Sequence, residues 1–468
     1  MDFRFSDEEE AFRTEVRQFL KAELTTGWDQ QFDTETELGA MEQGDFARQF
    51  QRKLAQRSWL ALPWPREYGG LGATVMQQVI FNEEMAFTGA PTGFNMGVAW
   101  VGPSLMIYGT EEQKKRFLPA ITGLEHIWCT LYSEPAAGSD LAAVQTRAVR
   151  DGDEWVINGQ KIWTSGAHRS NWGWLAARTD PEAPKHKGIS MFLVPMDSPG
   201  ITIQPLVNMA GQHGFNEVFF EDVRIPADYL VGQENQGWYQ LAVALDFERS
   251  SIAGSARARR LLVELMRFAT EERSFVGAKP EIRHRLAEVS IEIDIAKYLS
   301  YRVASLQQAG KIPNYEATIA KLYSSELGQR LSRTGIDLLG MHGQLHPKSK
   351  HARLKGMMER YYLMSVAETI AGGTSEVMEA RPGFIHTRLH RATTGARFVN
   401  VAEWESMEAF AAAINSPEFR EAAAPLRELG KENPALYQVV YEAGTRPMHD
   451  RERRSRAYYE GRARDVLQ

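Results

Sequence analysis

The chain has 468 residues, 43% of them apolar and 24% charged, an ordinary globular composition; at about 150 residues per domain the length suggests three domains. Lys and Arg number 54 against 60 Asp and Glu, a formal charge of −6, which argues against a nucleic-acid partner. A single cysteine, Cys129, excludes a disulfide framework within the chain and a cysteine-ligated zinc or iron–sulfur site, and suits a reducing cytoplasm.

The first ten residues are acidic where a secretory signal would be basic and then apolar. The longest apolar run, Thr92 to Tyr108, is interrupted by Gly93, Asn95, Gly97, Gly102 and Pro103, so no membrane-spanning helix is expected. Residues 1–125 read as an N-terminal helical domain. Ser6 and Glu9 have the spacing of a capping box, and Phe12, Val16, Phe19 and Leu20 follow at helical period. A loop rich in Pro and Gly, from Pro63 to Gly72, interrupts it; helical patterns resume over Met76 to Phe87 and from Thr110.

Residues 126–235 change character. Asp151-Gly152-Asp153 and Asn158-Gly159 are turn signals around a strand at Trp155-Val156-Ile157. Ile189 to Val194, Val218 to Phe220 and Val223 to Ile225 continue the series, which predicts a central β barrel or sandwich domain. The helical period returns over 236–395, the expected C-terminal bundle. Residues 396–468, rich in Ala, Glu and Arg, are expected to form a helical extension. Its stretch Asp450 to Asp465 holds six arginines and four acidic residues and reads as a solvated face. The order is therefore α, β, α, a multidomain α+β chain whose two helical blocks can pack together with the β block inserted between them.

Neither a phosphate-binding Gly-rich loop nor a Gly-x-Ser-x-Gly elbow is present. His342, His346 and His351 fall in a loop with Gly343 and Pro347. His386 and His390 are four apart but have no carboxylate ligand nearby in sequence, and no metal site is assigned. Two segments carry more information. Trp128 to Leu141 contains Ser133-Glu134-Pro135 followed by Gly138-Ser139-Asp140, a tight loop whose backbone N–H groups suit a phosphate or other electron-rich group, or simply a domain boundary. Asn158 to Ala167 places Trp163 beside Thr164 and Ser165 after a strand, an arrangement that can cover and hydrogen-bond a flat heterocycle.

These two segments resemble the paired signatures of the acyl-CoA dehydrogenase family. Trp64-Pro65-Arg66-Glu67-Tyr68-Gly69-Gly70 and Ile370-Ala371-Gly372-Gly373-Thr374-Ser375-Glu376 agree with it in order, so the resemblance covers about residues 1–390. It implies an N-terminal helical domain, a central β domain and a C-terminal four-helix bundle. It also implies FAD and the oxidation of an acyl-CoA thioester to the trans-2-enoyl form, with an α proton going to a carboxylate and a β hydride to flavin N5. By motif, Tyr132, Ser133, Gly138 and Ser139 are expected along the flavin and its pyrophosphate, with Ser139 also near the CoA. Trp163, Thr164 and Ser165 are expected along the isoalloxazine, and Thr374 and Glu376 at the cofactor from the last segment. An electron-transferring flavoprotein is the implied electron acceptor, and a homodimer, homotetramer or heteromer the implied assembly.

The commonest family pattern has its catalytic glutamate immediately before the Gly-Thr of the last motif; here that residue is Gly372, which has no proton-accepting side chain. Leu241, Leu245, Glu248, Ile252 and Ser255 follow spacings of 4, 3, 4 and 3, one apolar helix face carrying a single carboxylate. Burial would raise the pKa of such a group and make it a better base; a salt bridge to Arg249, Arg257 or Arg259 is the plainer reading. Some family branches carry the base on the helix after the β domain, directly before an arginine, and Asp246-Phe247-Glu248-Arg249 resembles that pattern. Glu248 is therefore assigned as the base. The resemblance leaves Gly372 a backbone N–H for the thioester carbonyl and puts Asp246, Arg249 and Gly373 at CoA-contact positions.

The bundle's usual Arg-x-x-Phe-Gly is altered here to Arg273-Ser274-Phe275-Val276-Gly277, with Arg273 as the retained flavin-contacting arginine. Against the family pattern the loop here is shortened by several residues, and similar shortening occurs in family members that degrade steroid and other bulky acyl chains, some of them heteromeric. Two alternatives stay open: a flavin oxidase or monooxygenase on the same fold, and a flavin-binding or non-catalytic subunit of a heteromeric dehydrogenase.

Overall fold

Ser6 opens the first helix, α1 (Asp7–Glu23), through the reciprocal capping expected of it: Glu9 N–H donates to Ser6 Oγ at 3.2 Å, and Ser6 N–H to Glu9 Oε2 at 2.8 Å. The structure, a computed structural model, describes residues 5–24, 45–92, 95–246, 251–272, 280–311, 313–375, 384–391 and 398–404. The chain divides into two units, Met1–Thr374 and Ser375–Gln468.

In the first unit α1 is followed by α2 (Asp45–Gln56), α3 (Val75–Thr88), a π turn (Gly97–Val101), α4 (Gly102–Tyr108) and α5 (Glu111–Thr122). Thr74 with Gln77 and Thr110 with Gln113 repeat the capping box at α3 and α5. Val16, Phe19 and Leu20 bury the face expected of them against Phe50, Leu54, Trp59, Phe81 and Met85. The Trp64–Gly70 loop is close-packed: a Cβ on Gly70 would lie 2.1 Å from the Trp64 carbonyl oxygen.

Eight strands follow: β1 (Trp128–Leu131), β2 (Arg147–Asp151), β3 (Glu154–Lys161), β4 (Trp172–Arg178), β5 (Ile189–Pro195), β6 (Ile201–Val207), β7 (His213–Pro226) and β8 (Leu230–Val231). They form one sheet in the order β6-β7-β3-β2-β4-β5-β8, with β1 parallel to β4. The path starts at β6 and stops at β8, so this is an open sheet and not the closed barrel offered as one form of the β domain. Every residue of β4 is buried, and Trp155, Trp174 and Phe192 fill the core around it.

The chain returns to helix in α6 (Gly237–Asp246), α7 (Ile252–Glu271), α8 (Pro280–Gln308), α9 (Asn314–Leu339) and α10 (Met357–Glu368). Leu261, Leu265, Ile293, Leu331 and Met358 share one bundle core. Val79 of α3 packs on Ile252 and Ala304, so the two helical blocks meet. Among the described residues no helix is long and apolar enough to cross a membrane.

In the second unit the described residues from 384 onward are extended where helix was expected, and the remainder of 396–468 lies outside the described residues. Phe384–Arg391 (β9) and Phe398–Trp404 (β10) pair antiparallel, Phe398 opposite Arg391 and Val401 opposite Arg388. The β-branched and aromatic residues of Phe398-Val399-Asn400-Val401 favour extended backbone over the helix that the Ala- and Glu-rich composition of the whole tail suggests.

Candidate active site

Parallel pairing with β4 delivers the chain from β1 into the first signature loop. The Tyr132 ring stacks on Trp100 of the π turn, centroids 5.9 Å apart and planes 16° from parallel. Glu134 and Ala137 exchange backbone hydrogen bonds of 3.0 Å, closing a tight turn that leaves Gly138 and Ser139 exposed. The Glu134 side chain turns inward, accepting from Gln145 N–H at 2.7 Å, Thr146 N–H at 2.9 Å and Lys161 Nζ at 2.7 Å. Burial works against the Glu134 charge, yet Lys161 and the backbone donors more than offset it and hold the carboxyl below its usual range. Burial likewise pulls Lys161 down to about 8 against the opposing pull of Glu134, which leaves an ion pair at neutral pH.

The second signature segment leaves β3 directly after Lys161. Ile162 N–H donates to Ser133 O at 2.9 Å, and Lys161 Nζ to Tyr132 O at 2.9 Å, so the two segments are bonded to each other. Trp163 takes a left-handed conformation, φ +59°, and presents its indole 59% exposed, edge-on to Phe215 at 5.9 Å. Thr164 beside it is buried and fixed to Asn216 of β7, which also faces His168 and His213. The Thr164 Oγ1 is buried and has no hydrogen-bond partner among the described residues. A buried hydroxyl left unpaired costs free energy unless a ligand satisfies it. With an exposed indole one residue before it and the Ser133–Ser139 turn bonded alongside, these residues fit a flat, hydrogen-bonding cofactor with a phosphate tail, as FAD has.

Gly372 and Gly373 both take positive φ, +65° and +102°, beyond the end of α10. Lys321 Nζ of α9 donates to the Gly373 carbonyl. Among the described residues no atom beyond its chain neighbours lies within 4 Å of a Cβ built on Gly372, so its backbone conformation, rather than crowding, favours glycine there. Thr374, half-buried, follows. The described hydrogen bonds thus join the first two motifs to each other and the third to α9.

Glu248, Arg249, Arg273 and Glu376 lie outside the described residues, and Asp246 is described only as the last residue of α6. The proposed continuous helix face is corrected: α6 runs to Asp246, and α7 begins at Ile252 after Ser251 at φ +54°. A left-handed residue breaks the helical hydrogen-bond ladder, so spacing counted across it does not define one face. Leu241, Ile252 and Ser255 are each buried even so.

The sequence reading gave no role to Glu134, Lys161 or Asn216. Glu134 and Lys161 were within the quoted motifs, and a charge of each sign flanking two glycine- and hydroxyl-rich turns was the available signal. Asn216 carried none beyond falling in alternation with Val218 and Phe220 in β7.

Three family models cover most of the chain: the acyl-CoA dehydrogenase N-terminal domain over residues 6–125, the middle domain over 129–223 and the C-terminal domain over 235–381. A fourth, antibiotic biosynthesis monooxygenase, matches residues 365–425. The chain is 35% identical over 403 residues to acyl-CoA dehydrogenase FadE26 of Mycobacterium tuberculosis, covering 84% of this chain and all of that one. Two solved structures resemble it at 34% identity and a TM-score of 0.72, each over 81% of this chain and 96% of the other: the Tcur3481-Tcur3483 steroid ACAD and the ChsE4-ChsE5 complex from Mycobacterium tuberculosis. With all three domains matched in order and a full-length relative at this identity, the chain belongs to the acyl-CoA dehydrogenase family of flavoprotein oxidoreductases.

Proposed function

We propose that this chain binds FAD between the 132–139 and 162–166 segments and oxidises an acyl-CoA thioester to its trans-2-enoyl form. The observation that carries this is the buried Thr164 hydroxyl, which has no partner among the described residues, beside the exposed Trp163 indole on a turn bonded to the Ser133 loop. FAD, when bound, supplies the two-electron acceptor for the β hydride. Trp163 covers a face of the ring and excludes water from it, while Thr164 and Ser165 meet its polar edge. Tyr132, Ser133, Gly138 and Ser139 line the flavin and its pyrophosphate, with Arg273, Thr374 and Glu376 completing the cofactor contacts.

Glu248 takes the α proton in this reading. Gly372 cannot, and its left-handed backbone suits a residue acting through its N–H, which would polarise the thioester carbonyl in the manner of an oxyanion hole. Asp246, Arg249, Ser139 and Gly373 are assigned to the CoA. The likeness to the Tcur3481-Tcur3483 steroid ACAD favours a bulky, ring-bearing acyl group, and an electron-transferring flavoprotein is the proposed acceptor.

Anaerobic titration of the purified protein with an acyl-CoA panel, including a steroid side-chain thioester, tests this by bleaching of the flavin. Glu248→Gln should retain FAD and lose the bleaching; reduction at the parent rate would discard the base assignment.

A second reading is favoured by the likeness to the two-protein ChsE4-ChsE5 complex: the chain is one subunit of a heteromer. Colour separates the two. A chain purified alone as a yellow holoenzyme supports the first; one that acquires flavin only on mixing with a partner supports the second.

A further inference from the structure

Lys161 is fully buried, a costly place for an ammonium group unless each of its donors finds an acceptor. Its Nζ serves two acceptors with different roles. One is the carboxylate of Glu134, which in turn gathers the N–H groups of Gln145 and Thr146. The other is the main-chain carbonyl of Tyr132, at the entrance of the first signature loop. Lys161 is also the last residue of β3, one residue before the bond from Ile162 N–H to Ser133 O and two before Trp163. From the far side of the same loop, Arg178 donates to the carbonyls of Ala142, Val144 and Lys185.

The ion pair with Glu134 alone would need no bond to Tyr132. That bond spans two segments 29 residues apart in sequence, both of which face the proposed cofactor, and it fixes the distance between them. We propose that Lys161 is a positioning residue for the flavin, setting the spacing of the Tyr132–Ser139 loop against the Trp163–Ser165 turn through the Tyr132 carbonyl. This rests on the flavin reading above.

The test separates positioning from the cost of burying an unpaired charge. Removing one member of a buried pair is damaging, whereas removing both can be nearly neutral for the fold. The double variant Glu134→Gln/Lys161→Met should therefore melt close to the parent as apoprotein. It should nonetheless bind FAD about tenfold more weakly, the equivalent of one hydrogen bond, and show less vibronic structure in its flavin absorption band. Glu134→Gln/Lys161→Gln, which restores an N–H donor toward Tyr132, should recover binding to within about threefold of the parent.

Equal FAD affinity and equal spectra in the parent and the Met double variant would overturn the proposal, leaving Lys161 a purely structural residue. If the Met variant fails to melt cooperatively, the Gln variant decides: FAD binding and spectrum like the parent's uphold the proposal, and tenfold weaker binding on an intact fold overturns it. A parent that binds no FAD in reconstitution, with a normal melting transition, would instead overturn the flavin reading itself and this inference with it.

Discussion

Thr164 and Asn216 are joined main chain to main chain in both directions, Thr164 N–H to Asn216 O at 2.9 Å and Asn216 N–H to Thr164 O at 3.1 Å. The Asn216 side chain adds a third bond, Nδ2 to the same Thr164 carbonyl at 3.0 Å. The turn that exposes Trp163 is thereby fastened to the fully buried Asn216 near the start of β7. Asn216→Ala removes the third bond and the anchor of both neighbouring imidazoles while keeping the main-chain pair. It should cost about 2 kcal/mol, within the range for a buried polar contact left unmade, and release FAD faster. Thermal melting and flavin-release fluorescence check this; a parent-like release rate would mean that the main-chain pair alone holds the turn.

His168 and His213 stack at 4.2 Å beside Asn216, and burial, followed by the neighbouring His213, holds His168 below its ordinary value of 6.5. The sign follows from proton counting. As pH falls through 6.5 the unfolded chain takes up a proton that the folded chain resists, so stability declines in acid and recovers toward neutral pH. Below the depressed folded value both states are protonated and the slope vanishes. Melting temperatures between about pH 5 and 7.5 should fall on acidification, and His168→Phe, which keeps a stacked ring but no titration, should flatten that fall. An unchanged slope would assign it to other groups.

Cys129 is buried in β1 with its thiol pushed up to about 12 by desolvation, its Sγ 3.8 Å from Met196 Sδ. The thiolate is the reactive form, so the native thiol should react with a disulfide reagent on the order of a thousandfold more slowly than free cysteine. It should react at once in denaturant. Because it is the chain's one cysteine, the labelling rate reports opening of the sheet. Rapid labelling of the native protein would show β1 to be loosely held.

How much could be read beforehand depended on how local the cause was. The Ser6–Glu9 capping box and the stripe of Val16, Phe19 and Leu20 are set by residues a turn apart, and they were legible. So were the strands around Trp155 and Phe192, where turn residues and β-branched runs agree. The two signature segments were legible as segments, but their attachment to each other and to β7 was not: Lys161 to Tyr132 and Thr164 to Asn216 join residues 29 and 52 positions apart. An open rather than closed sheet depends on whether β6 and β8 meet, which no single strand encodes. The break at Ser251 was missed because a periodic apolar pattern says nothing about backbone handedness.

Glu83 on α3 gathers three groups from two other helices. Oε2 accepts from Tyr301 Oη at 2.6 Å and Arg13 Nη2 at 3.2 Å, and Oε1 from Lys297 Nζ at 2.8 Å. Burial opposes its charge, but Lys297 and Tyr301 more than compensate, so the carboxyl lies below its ordinary 4.5. Burial, then Glu83, pushes the Tyr301 phenol up to about 12. The site thus pins α1 and α8 to α3, joining the first helical block to the bundle. Its side chain is 13% exposed and Lys297's is 34%, so the expected cost of Glu83→Gln is reduced from the fully buried case to about 2–3 kcal/mol. That corresponds to a melting temperature lower by about 2.5–4 °C for a unit of this size. The charge contributes fully above pH 4.5 and is lost as pH falls through the depressed folded value, so the parent should shed this advantage in acid and the two proteins should converge. A variant melting within a degree of the parent at pH 7 would show that Arg13 and Lys297 gain nothing from Glu83 that water does not supply.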